Sequence, residues 1–481
     1  MSDILARDAT AQLLALKAKE VSAVELLKLS LARHEQTHSR LNAVVAADLE
    51  RALDTAKAMD DLRVKGATLG PLCGLPMTVK DTLDVTGMAA SSGVEGLRRR
   101  LAEDAVAVGQ VRQAGAVIWG KTNVPVMAAD WQTFNGLYGT TNNPWDVTRT
   151  PGGSSGGAAA ALAAGITALE IGSDIGGSLR APASFCGVFS HKPTWGLVSQ
   201  RGHVPPTPGT HAERDLNVIG PMARSARDLR LLLSVMTEGV PAKADIADLS
   251  RLKIGLWLDG FPLDPEVAAV IEVLSAQLSM AGAEVRAISN PVPLDQLTAA
   301  YQTLLGSVVA TDLPPKTQTA MRRTRGIAAM ALSLGFGQKS WAAMVRGYAA
   351  THAEWISADE VRARLKQTAQ DAFAAFDIII APVAPVVAFP HDHGPFATRK
   401  LKTSDGRSLP YGSMLDWISL ATACYLPATT VPVGLSASGL PVGVQLIGPH
   451  GSDSRTLAIA QAIDENLGGF VAPPAIWTGA T

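Results

Sequence analysis

Cysteine is scarce in this sequence: Cys73, Cys186 and Cys424 are the only three among 481 residues. They lie far apart along the chain, and their number is odd. This pattern does not fit the disulfide framework that holds small secreted domains together. We therefore expect three reduced, buried thiols in a cytoplasmic protein.

The sequence also lacks an excess of charge of either sign. Its 42 Lys and Arg residues and 43 Asp and Glu residues give a net charge of −1. A nucleic acid or an anionic membrane surface would favour a strongly basic chain. We therefore expect no nucleic-acid partner and no membrane partner, and a small molecule as the ligand.

Long hydrophobic runs are missing as well. The longest apolar window, Ala158 to Leu169, is too short to span a bilayer and ends at Glu170. The N-terminus, MSDILARDATAQ, has no basic segment followed by an apolar run, so it predicts no secretory signal. These absences favour a soluble cytoplasmic protein.

The sequence is rich in glycine and serine between positions 148 and 180. Residues 151–157 read PGGSSGG, and residues 173–178 read SDIGGS. The two motifs are separated by residues 158–164, an alanine-rich stretch that strongly favours a helix and has no bulky side chains. Glycine lets backbone N–H groups face a substrate oxygen that becomes negative during a reaction. A flexible linker is the commoner interpretation of such a run, but a linker would separate two compositions, whereas this run leads straight into a helix.

The rest of the chain alternates between predicted helices and strands. Residues 8–60 predict helices, one of them opened by the capping-box spacing at Ser22. Short buried strands are predicted at Pro76 to Lys80 and at Ala116 to Gly120. Because this alternation continues along the chain, it predicts an α/β fold with a large mixed β-sheet core flanked by α-helices.

The C-terminal half shows the same alternation and no repeat or long linker. Residues 294–366 predict helices, and Phe376 to Val386 predicts a buried strand. A polar loop is predicted over Phe389 to Pro410 and a helix over Tyr411 to Cys424. We therefore expect one large domain, preceded by an N-terminal helical arm at residues 1–60.

Three other kinds of site are alternatives to a reactive serine in this segment. Gly152 to Gly156 matches the G-x-S-x-G nucleophile elbow, but that motif needs a strand directly before the serine, and residues 142–151 are polar and contain proline. A phosphate cradle lacks the GK[ST] or GxGxxG context. The His391-Asp392-His393 triplet lacks a cysteine or carboxylate cluster. We expect no metal and no organic cofactor. The nucleophile elbow stays an alternative, because the Asp or Glu and the His that it also needs could come from later in the chain, which has nine histidines in all.

The combination of motifs is more specific than any of them alone, and it resembles the amidase signature family. The resemblance covers most of residues 10–470, is tightest over 69–225 and is loosest over about 290–410. The motifs that carry it are Gly74-Leu75-Pro76 through Lys80-Asp81, Gly120 to Asn123, Asn143-Pro144-Trp145, Pro151 to Gly157, Gly172 to Arg180, Cys186-Gly187, Lys192-Pro193-Thr194, Gly220 to Arg224 and Gly439 to Gln445.

The resemblance implies a Ser–cis-Ser–Lys triad in a single amidase signature domain over residues 61–481, with residues 290–410 as a variable region at the substrate pocket. By that resemblance Ser178 is the nucleophile, Ser154 is the relay serine after a cis peptide bond, and Lys80 is the base. Further site residues follow from it: Ile175, Gly176 and Gly177 as the oxyanion hole, and Ser155, Asp174 and Arg180 as supporting residues.

The chemistry of lysine agrees with this assignment. With a reference pKa of about 10.4, roughly one lysine in a thousand is neutral near pH 7.5. Burial of Lys80 among Leu75, Pro76 and Val79 would lower its pKa and supply a free amine. A hydroxyl both donates and accepts a hydrogen bond, so Ser154 can pass a proton from Ser178 to Lys80.

The substrate is argued from the neighbourhood of the serines. Trp131, Phe134 and Tyr138 precede the first serine loop and predict an apolar acyl or aryl pocket, with plain core packing as the alternative. We expect an amidase for linear amides, aryl amides above all, with carbamates and esters as further substrates. We expect a monomer or a homodimer.

The alternative within the family is the glutamine-hydrolysing subunit of a tRNA-dependent amidotransferase. Such subunits usually carry a Gln after the Arg of the second serine motif, whereas Leu179-Arg180-Ala181-Pro182 stands here. The stretch from Arg214 to Pro221 also departs from their pattern. Both departures disfavour this alternative.

Overall fold

The protein has a mixed α/β fold in which one large sheet is flanked by helices, and this confirms the predicted fold class. The structure is a computed structural model, and it describes residues 4–206, 208–240, 244–245, 247–335, 337 and 340–474. The larger hydrophobic core joins the N-terminal helices to one face of the sheets. A second core lies between the sheet and residues 290–426.

The described residues form fourteen α-helices. Their bounds are α1 Ala9–Lys17, α2 Ala23–Leu41, α3 Leu49–Val64, α4 Val106–Gln113, α5 Gly156–Ala163, α6 Arg180–Cys186, α7 Ala226–Met236, α8 Pro265–Met280, α9 Leu294–Ala310, α10 Pro315–Ser333, α11 Trp341–Tyr348, α12 His352–Phe373, α13 Ser419–Ala423 and α14 Asp453–Leu467. The predicted start of α2 is confirmed: Ser22 and Glu25 bond to each other's backbone in a capping box.

The same residues form fifteen β-strands. Their bounds are β1 Val44–Ala47, β2 Pro76–Lys80, β3 Val117–Thr122, β4 Phe134–Asn135, β5 Gly139–Thr140, β6 Leu169–Asp174, β7 Phe189–Lys192, β8 Val218–Ala223, β9 Lys253–Trp257, β10 Glu284–Ile288, β11 Ile378–Pro382, β12 Lys400–Lys402, β13 Ser408–Pro410, β14 Ala428–Leu435 and β15 Pro441–Ile447.

Eight strands form the large sheet in the order β10-β9-β11-β15-β14-β7-β8-β6. The pairs β10–β9 and β9–β11 are parallel, and the five pairs from β11 to β6 are antiparallel. The edge strand β6 is buried along its whole length, because other elements cover the side that lacks a strand. The second glycine-serine loop begins where β6 ends, at Asp174.

A smaller sheet carries Lys80. Its order is β1-β3-β2, with β2 parallel to β3 and β1 antiparallel to β3. Lys80 is the last residue of β2 and pairs with Thr122 of β3. The prediction that residues 8–60 are helical throughout is wrong, because Val44–Ala47 is a strand whose β-branched Val44 pairs in the ladder. The domain division at residue 60 stays a prediction.

The alanine-rich helix α5 lies buried between the two serine loops. All eight of its residues, Gly156 to Ala163, are buried. The absence of bulky side chains permits close packing: a Cβ added at Gly157 would lie 2.4 Å from the backbone nitrogen of Asn123. The small residues of this helix therefore let the small sheet approach the first serine loop.

Two expectations for the C-terminal half are wrong in detail. Tyr411 to Cys424 is not one helix, since a 3₁₀ helix at Tyr411–Leu415 is followed by α13. The expected polar loop over Phe389 to Pro410 contains the short hairpin β12–β13. No helix among the described residues has both the length and the apolar composition needed to cross a membrane.

Candidate active site

The Lys80 amine is completely enclosed at the end of β2, with 0% of the residue exposed. Burial lowers the pKa of Lys80 to about 7, although the carboxyl groups of Asp174 and Glu170 act in the opposite direction. Near neutral pH a large fraction of this amine is therefore unprotonated. A neutral amine has a lone pair and can accept a proton.

Three serine hydroxyl oxygens surround the Lys80 amine. Its Nζ lies within hydrogen-bond distance of all three, 2.8 Å from the Oγ of Ser154, 2.8 Å from the Oγ of Ser155 and 3.0 Å from the Oγ of Ser173. The structure thus brings together the predicted base and the predicted relay serine. Sequence reasoning missed Ser173, whose only local signal was its place directly before Asp174 at the end of a strand.

The first serine loop is shaped by close packing of its glycines. A Cβ added at Gly153 would lie 2.4 Å from the carbonyl oxygen of Asp130, and Gly152 has φ +86° against Pro182. Neither position has room for a side chain. The peptide bond between Gly153 and Ser154 is cis. The packing fixes where the Ser154 side chain leaves the backbone.

Ser155 stands at the position where a serine usually caps a helix. A serine at that place normally accepts a hydrogen bond from the first turn, but the Ser155 side chain makes no capping bond to α5. Its Oγ accepts from Lys80 instead and donates to the Ser173 carbonyl oxygen at 3.4 Å. The predicted supporting role of Ser155 remains a prediction, and its contacts lie around the amine.

Ser178 lies in the loop that joins β6 to α6. Ser178 is 6% exposed, and the N–H of Ser155 donates to the Ser178 carbonyl oxygen at 3.2 Å. This backbone bond joins the two serine loops directly. The predicted nucleophile is therefore held beside the loop that carries Ser154 and Ser155.

Asp174 and Arg180 close the second serine loop through a completely buried ion pair. The Nη2 of Arg180 lies 3.0 Å from the Oδ1 of Asp174, and both side chains are 0% exposed. Burial by itself would raise the pKa of Asp174, but the Arg180 charge and hydrogen bond lower it to about 2. Arg180 also donates to the Ile418 carbonyl, the Thr422 hydroxyl and the Gln445 amide oxygen. Its hydrogen-bonding groups are thus taken up by the protein.

The three predicted oxyanion residues follow Asp174 directly, and side chains fix the carbonyl groups of two of them. Tyr301 donates from its hydroxyl to the Ile175 carbonyl at 2.8 Å, and Trp131 donates from Nε1 to the Gly176 carbonyl at 2.7 Å. The Gly177 N–H donates to Asp174 Oδ1 at 2.9 Å. In this structure the Gly177 amide is therefore occupied and orients the loop.

The three predicted pocket aromatics have different contacts. Trp131 contacts the oxyanion loop and packs on Tyr411 at 5.2 Å between ring centroids. Phe134 stacks on His393 at 4.0 Å, and the Tyr138 carbonyl accepts from Asn42. The Arg399 guanidinium lies over the rings of both Phe134 and Tyr411. A pocket formed by Trp131, Phe134 and Tyr138 stays a prediction.

Residues 290–426, in contrast, do reach the second serine loop. Besides Tyr301, Leu415 and Ile418 approach the glycines: a Cβ at Gly176 would be 3.5 Å from Leu415, and one at Gly177 would be 3.3 Å from Ile418. Sequence reasoning did not single out Tyr301, Leu415 or Ile418. Their contacts cross more than a hundred residues of chain, and no local pattern marked them.

The HxH triplet has a different environment from a metal centre. His393 stacks on Phe134, and the rings of His391 and His393 lie 5.8 Å apart. Among the residues that the structure describes, no group of three or more His, Cys, Asp or Glu side chains is arranged to hold a metal ion.

Two further buried titratable groups near Lys80 were also missed. Glu170 on β6 accepts from the Thr78 hydroxyl at 2.5 Å, and burial raises its pKa to about 8. The Nε2 of His203 lies 2.8 Å from the Ser173 Oγ. As a whole, the arrangement can draw a proton from a serine hydroxyl into a buried amine, beside a glycine loop suited to stabilise an anion.

Comparisons with known proteins agree on one family. Residues 25–457 match the family model described as Amidase. The chain is 33% identical over 491 residues to a glutamyl-tRNA(Gln) amidotransferase subunit of Synechococcus sp. (strain CC9605), covering 95% of this chain and 96% of that one. It is 36% identical over 482 residues to the corresponding subunit of Picosynechococcus sp. (strain ATCC 27264 / PCC 7002 / PR-6), covering 93% and 95%.

Solved structures give the same fold. One described as "Crystal structure of amidase" superposes with a TM-score of 0.79 at 29% identity and covers 96% of this chain and all of that chain. The corresponding glutamyl-tRNA(Gln) amidotransferase subunit of Thermotoga maritima gives a TM-score of 0.73 at 27% identity, with 94% of each chain covered. A bacterial aryl acylamidase gives 0.79 at 22% identity, which shows the fold alone.

These relatives overturn two expectations. The expected specificity for aryl or other apolar amides is wrong, because the curated relatives that match end to end are amidotransferase subunits. The expectation of a small-molecule partner without nucleic acid is wrong too, because those proteins are named for glutamyl-tRNA. The departure beside Arg180 says little about the substrate, since Asp174 holds the Arg180 side chain in a completely buried pair.

Proposed function

This chain belongs to the amidase family, and from that we propose that it is the glutamine-hydrolysing subunit of a tRNA-dependent amidotransferase. One observation carries the proposal: relatives named as glutamyl-tRNA(Gln) amidotransferase subunits match 93–95% of this chain at 33–36% identity. The match is end to end, so it includes both serine loops and residues 290–410. The substrate is then the side-chain amide of glutamine, and the product passed on is ammonia.

The proposed first step is attack by Ser178 on the amide carbon. The Ser178 proton passes to Ser154, and the Ser154 proton passes to the lone pair of Lys80, which lies 2.8 Å from the Ser154 Oγ. The carbonyl oxygen becomes negative as the new C–O bond forms. Backbone N–H groups of the 175–178 loop stabilise it, except that of Gly177, which donates to Asp174. Losing one oxyanion donor costs about 3–4 kcal/mol.

The proton then returns to the leaving group. Lys80 gives it back through Ser154 to the amide nitrogen, the C–N bond breaks, and ammonia leaves while a γ-glutamyl ester remains on Ser178. Water attacks that ester with the same base, and glutamate is released. Both half-reactions need Lys80 neutral at their start, which its enclosed position supports.

The proposed partners follow from the proposed reaction. An enzyme that releases ammonia for transfer needs a second active site that uses it, so we propose that the chain works in a complex that amidates glutamyl-tRNA(Gln). The chain's net charge of −1 gives it no general attraction for tRNA. The tRNA would therefore be held mainly by the other subunits.

The direct test is an assay of glutamine hydrolysis. Purified chain is incubated with L-glutamine, alone and with the remaining subunits of the Thermotoga maritima enzyme plus glutamyl-tRNA(Gln), and glutamate formation is followed. We expect the chain alone to form glutamate and ammonia in equal amounts. In the complete mixture we expect faster glutamate formation, with part of the ammonia transferred to the glutamyl-tRNA. Ser178→Ala should reduce the rate to the background.

An aryl amide, acetanilide, is the comparison substrate. Rapid hydrolysis of acetanilide together with no glutamine hydrolysis under either condition would refute the proposal. Glutamine hydrolysis that survives Ser178→Ala would refute the assignment of the nucleophile and leave the substrate standing.

A further inference from the structure

His203 is a buried histidine that joins the serine network through a hydrogen bond with Ser173. Only 6% of the residue is exposed. It lies beside the continuation of β2, since it forms a β-bridge with Leu83 and the N–H of Val204 donates to the Thr82 carbonyl at 2.7 Å. Its ring is thereby held at a fixed place next to the site.

The two ring nitrogens of His203 have different and unambiguous roles. Nδ1 lies 2.6 Å from the carbonyl oxygen of Pro205. A carbonyl only accepts, so Nδ1 carries the hydrogen. Burial and the nearby Lys80 lower the pKa of His203 to about 3, so the ring is neutral at physiological pH. Nε2 is then an acceptor, and it receives the hydroxyl hydrogen of Ser173 at 2.8 Å.

This tautomer decides which of the three serine hydroxyls accept a hydrogen bond from a neutral Lys80 amine and which one donates to it. A neutral amine has two N–H donors and one lone pair. Ser173 donates its hydrogen to His203, and Ser155 donates its own to the Ser173 carbonyl at 3.4 Å. Both oxygens therefore accept from Nζ and use its two donors. The lone pair is left for the one remaining hydroxyl, Ser154.

We propose that His203 is a positioning residue that, by taking the Ser173 hydrogen, directs the lone pair of Lys80 to Ser154 alone. The proton then has a single path into the amine. The inference rests on the proposed function only in taking Lys80 as the base and Ser154 as the relay. It names a residue outside the triad that sets the direction of proton transfer.

The other charged groups around Lys80 do not supply this direction. Glu170 and Asp174 lie on β6, and Lys121 on β3 is paired with Asp81 at 3.1 Å. Helix α5 carries no titratable side chain, and α2 carries His34, which packs on Trp119. The charge of Arg214 lowers the pKa of His203, and Arg214 is paired with Asp312. None of these groups is a hydrogen-bond partner of the Lys80 amine among the described residues.

The test compares His203→Leu with His203→Gln. In His203→Leu the Ser173 hydroxyl is free to turn its hydrogen to the Lys80 lone pair and compete with Ser154. We expect kcat for glutamine to fall about tenfold with KM unchanged, and the acid limb of the pH–rate profile to move to lower pH. Gln at 203 offers a carbonyl oxygen to Ser173, so we expect it to restore most of the rate and the acid limb.

A double-mutant cycle with Ser173→Ala asks whether His203 acts through Ser173. We expect the double variant to have the rate and acid limb of Ser173→Ala. His191 is the matched control, because it is also buried and bonded through both nitrogens, to Thr429 and Asp453. His191→Leu should leave the acid limb unmoved.

A second readout is independent of glutamine: the rate at which phenylmethanesulfonyl fluoride modifies Ser178, followed by intact mass. The Ser178 oxygen displaces fluoride from sulfur, and its proton goes to Ser154 and Lys80. Wild-type pH dependence in His203→Leu, or additive effects in the cycle, would overturn the proposal. If glutamine is not hydrolysed but the modification rate shifts as expected, the proposed substrate fails and the role of His203 stands.

Discussion

The amine of Lys80 and the hydroxyl of Ser154 are 2.8 Å apart, although 74 residues separate them in the chain. Both residues are buried, at 0% and 1% exposure. Lys121 on the neighbouring strand is equally buried, but a carboxylate, Asp81, compensates it at 3.1 Å. Burial lowers the pKa of both amines, but Lys80 has serine hydroxyl groups where Lys121 has a carboxylate, so Lys80 is the amine that can exchange a proton with a serine.

The first prediction concerns the base itself. Lys80→Met removes the proton acceptor while keeping the length of the side chain, so we expect turnover of glutamine to fall about 10²–10⁴-fold. Lys192 offers a matched control, since burial also lowers its pKa to about 7 but its Nζ donates to the Pro193 carbonyl. Lys192→Met should retain most of the activity; equal losses in the two variants would argue against Lys80 as the base.

A second prediction is the pH dependence of stability caused by Lys80. Its pKa is about 7 in the folded state and 10.5 as its ordinary value. Between these values the unfolded chain binds more protons, so this group makes the free energy of unfolding rise with pH. Lys80→Met should therefore be more stable than wild type by up to about 5 kcal/mol at pH 7, and the gain should shrink towards pH 10.

Urea denaturation at pH 7, 8.5 and 10 measures that difference. The same group predicts an acid limb near pH 7 in the rate profile, since turnover needs the neutral amine. A stability difference that stays constant over the three pH values would contradict the lowered pKa.

Glu170 gives the opposite dependence. Burial raises its pKa from 4.5 to about 8, so between these values the folded state binds more protons and this group makes stability fall as pH rises. Glu170→Gln keeps the shape and an oxygen for the Thr78 hydroxyl without ionising. The free energy of unfolding of the variant should exceed that of wild type by an amount that grows from pH 4.5 to pH 8, by up to about 5 kcal/mol. A difference that shrinks over this range would contradict the prediction.

Trp131 is predicted to act on the oxyanion loop through its indole N–H. Trp131→Phe keeps an aromatic ring and removes the hydrogen bond to the Gly176 carbonyl. We expect kcat to fall about tenfold, which corresponds to about 1.4 kcal/mol of transition-state stabilisation. The matched control is Trp145→Phe, which removes a similar bond, to the Cys186 carbonyl at 3.0 Å, and should cost stability without lowering kcat; equal effects on kcat would deny Trp131 a role in the loop.

Arg180 is predicted to hold the second serine loop in place. Arg180→Met leaves the Asp174 carboxylate buried without its cation, and breaking such a pair costs about 3–5 kcal/mol of stability. The exposed pair of Arg364 and Glu360, at 3.0 Å on α12, is the contrast. Arg364→Met should cost less than about 1 kcal/mol, and urea unfolding of the two variants should differ accordingly.

Much of the site could be predicted from local sequence. Glycines allow backbone conformations and close approaches that other residues cannot adopt, so the two serine loops and the small helix between them are visible as a pattern. Lys80 at the end of a short apolar strand is equally visible. The pattern is weakest for specificity, where two short departures near Arg180 and Arg214 point away from the amidotransferase subunits that the chain matches end to end.

What the sequence determined by itself is the conformation of short segments: which loops lack side chains, where a helix begins, which strand ends in lysine. Only the tertiary structure decided which hydroxyls meet the amine, that Ser173 and His203 join them, and that Trp131 reaches the oxyanion loop. The reason is physical. Backbone preference is set by near neighbours, whereas burial and hydrogen-bond direction depend on segments that folding brings together from distant parts of the chain.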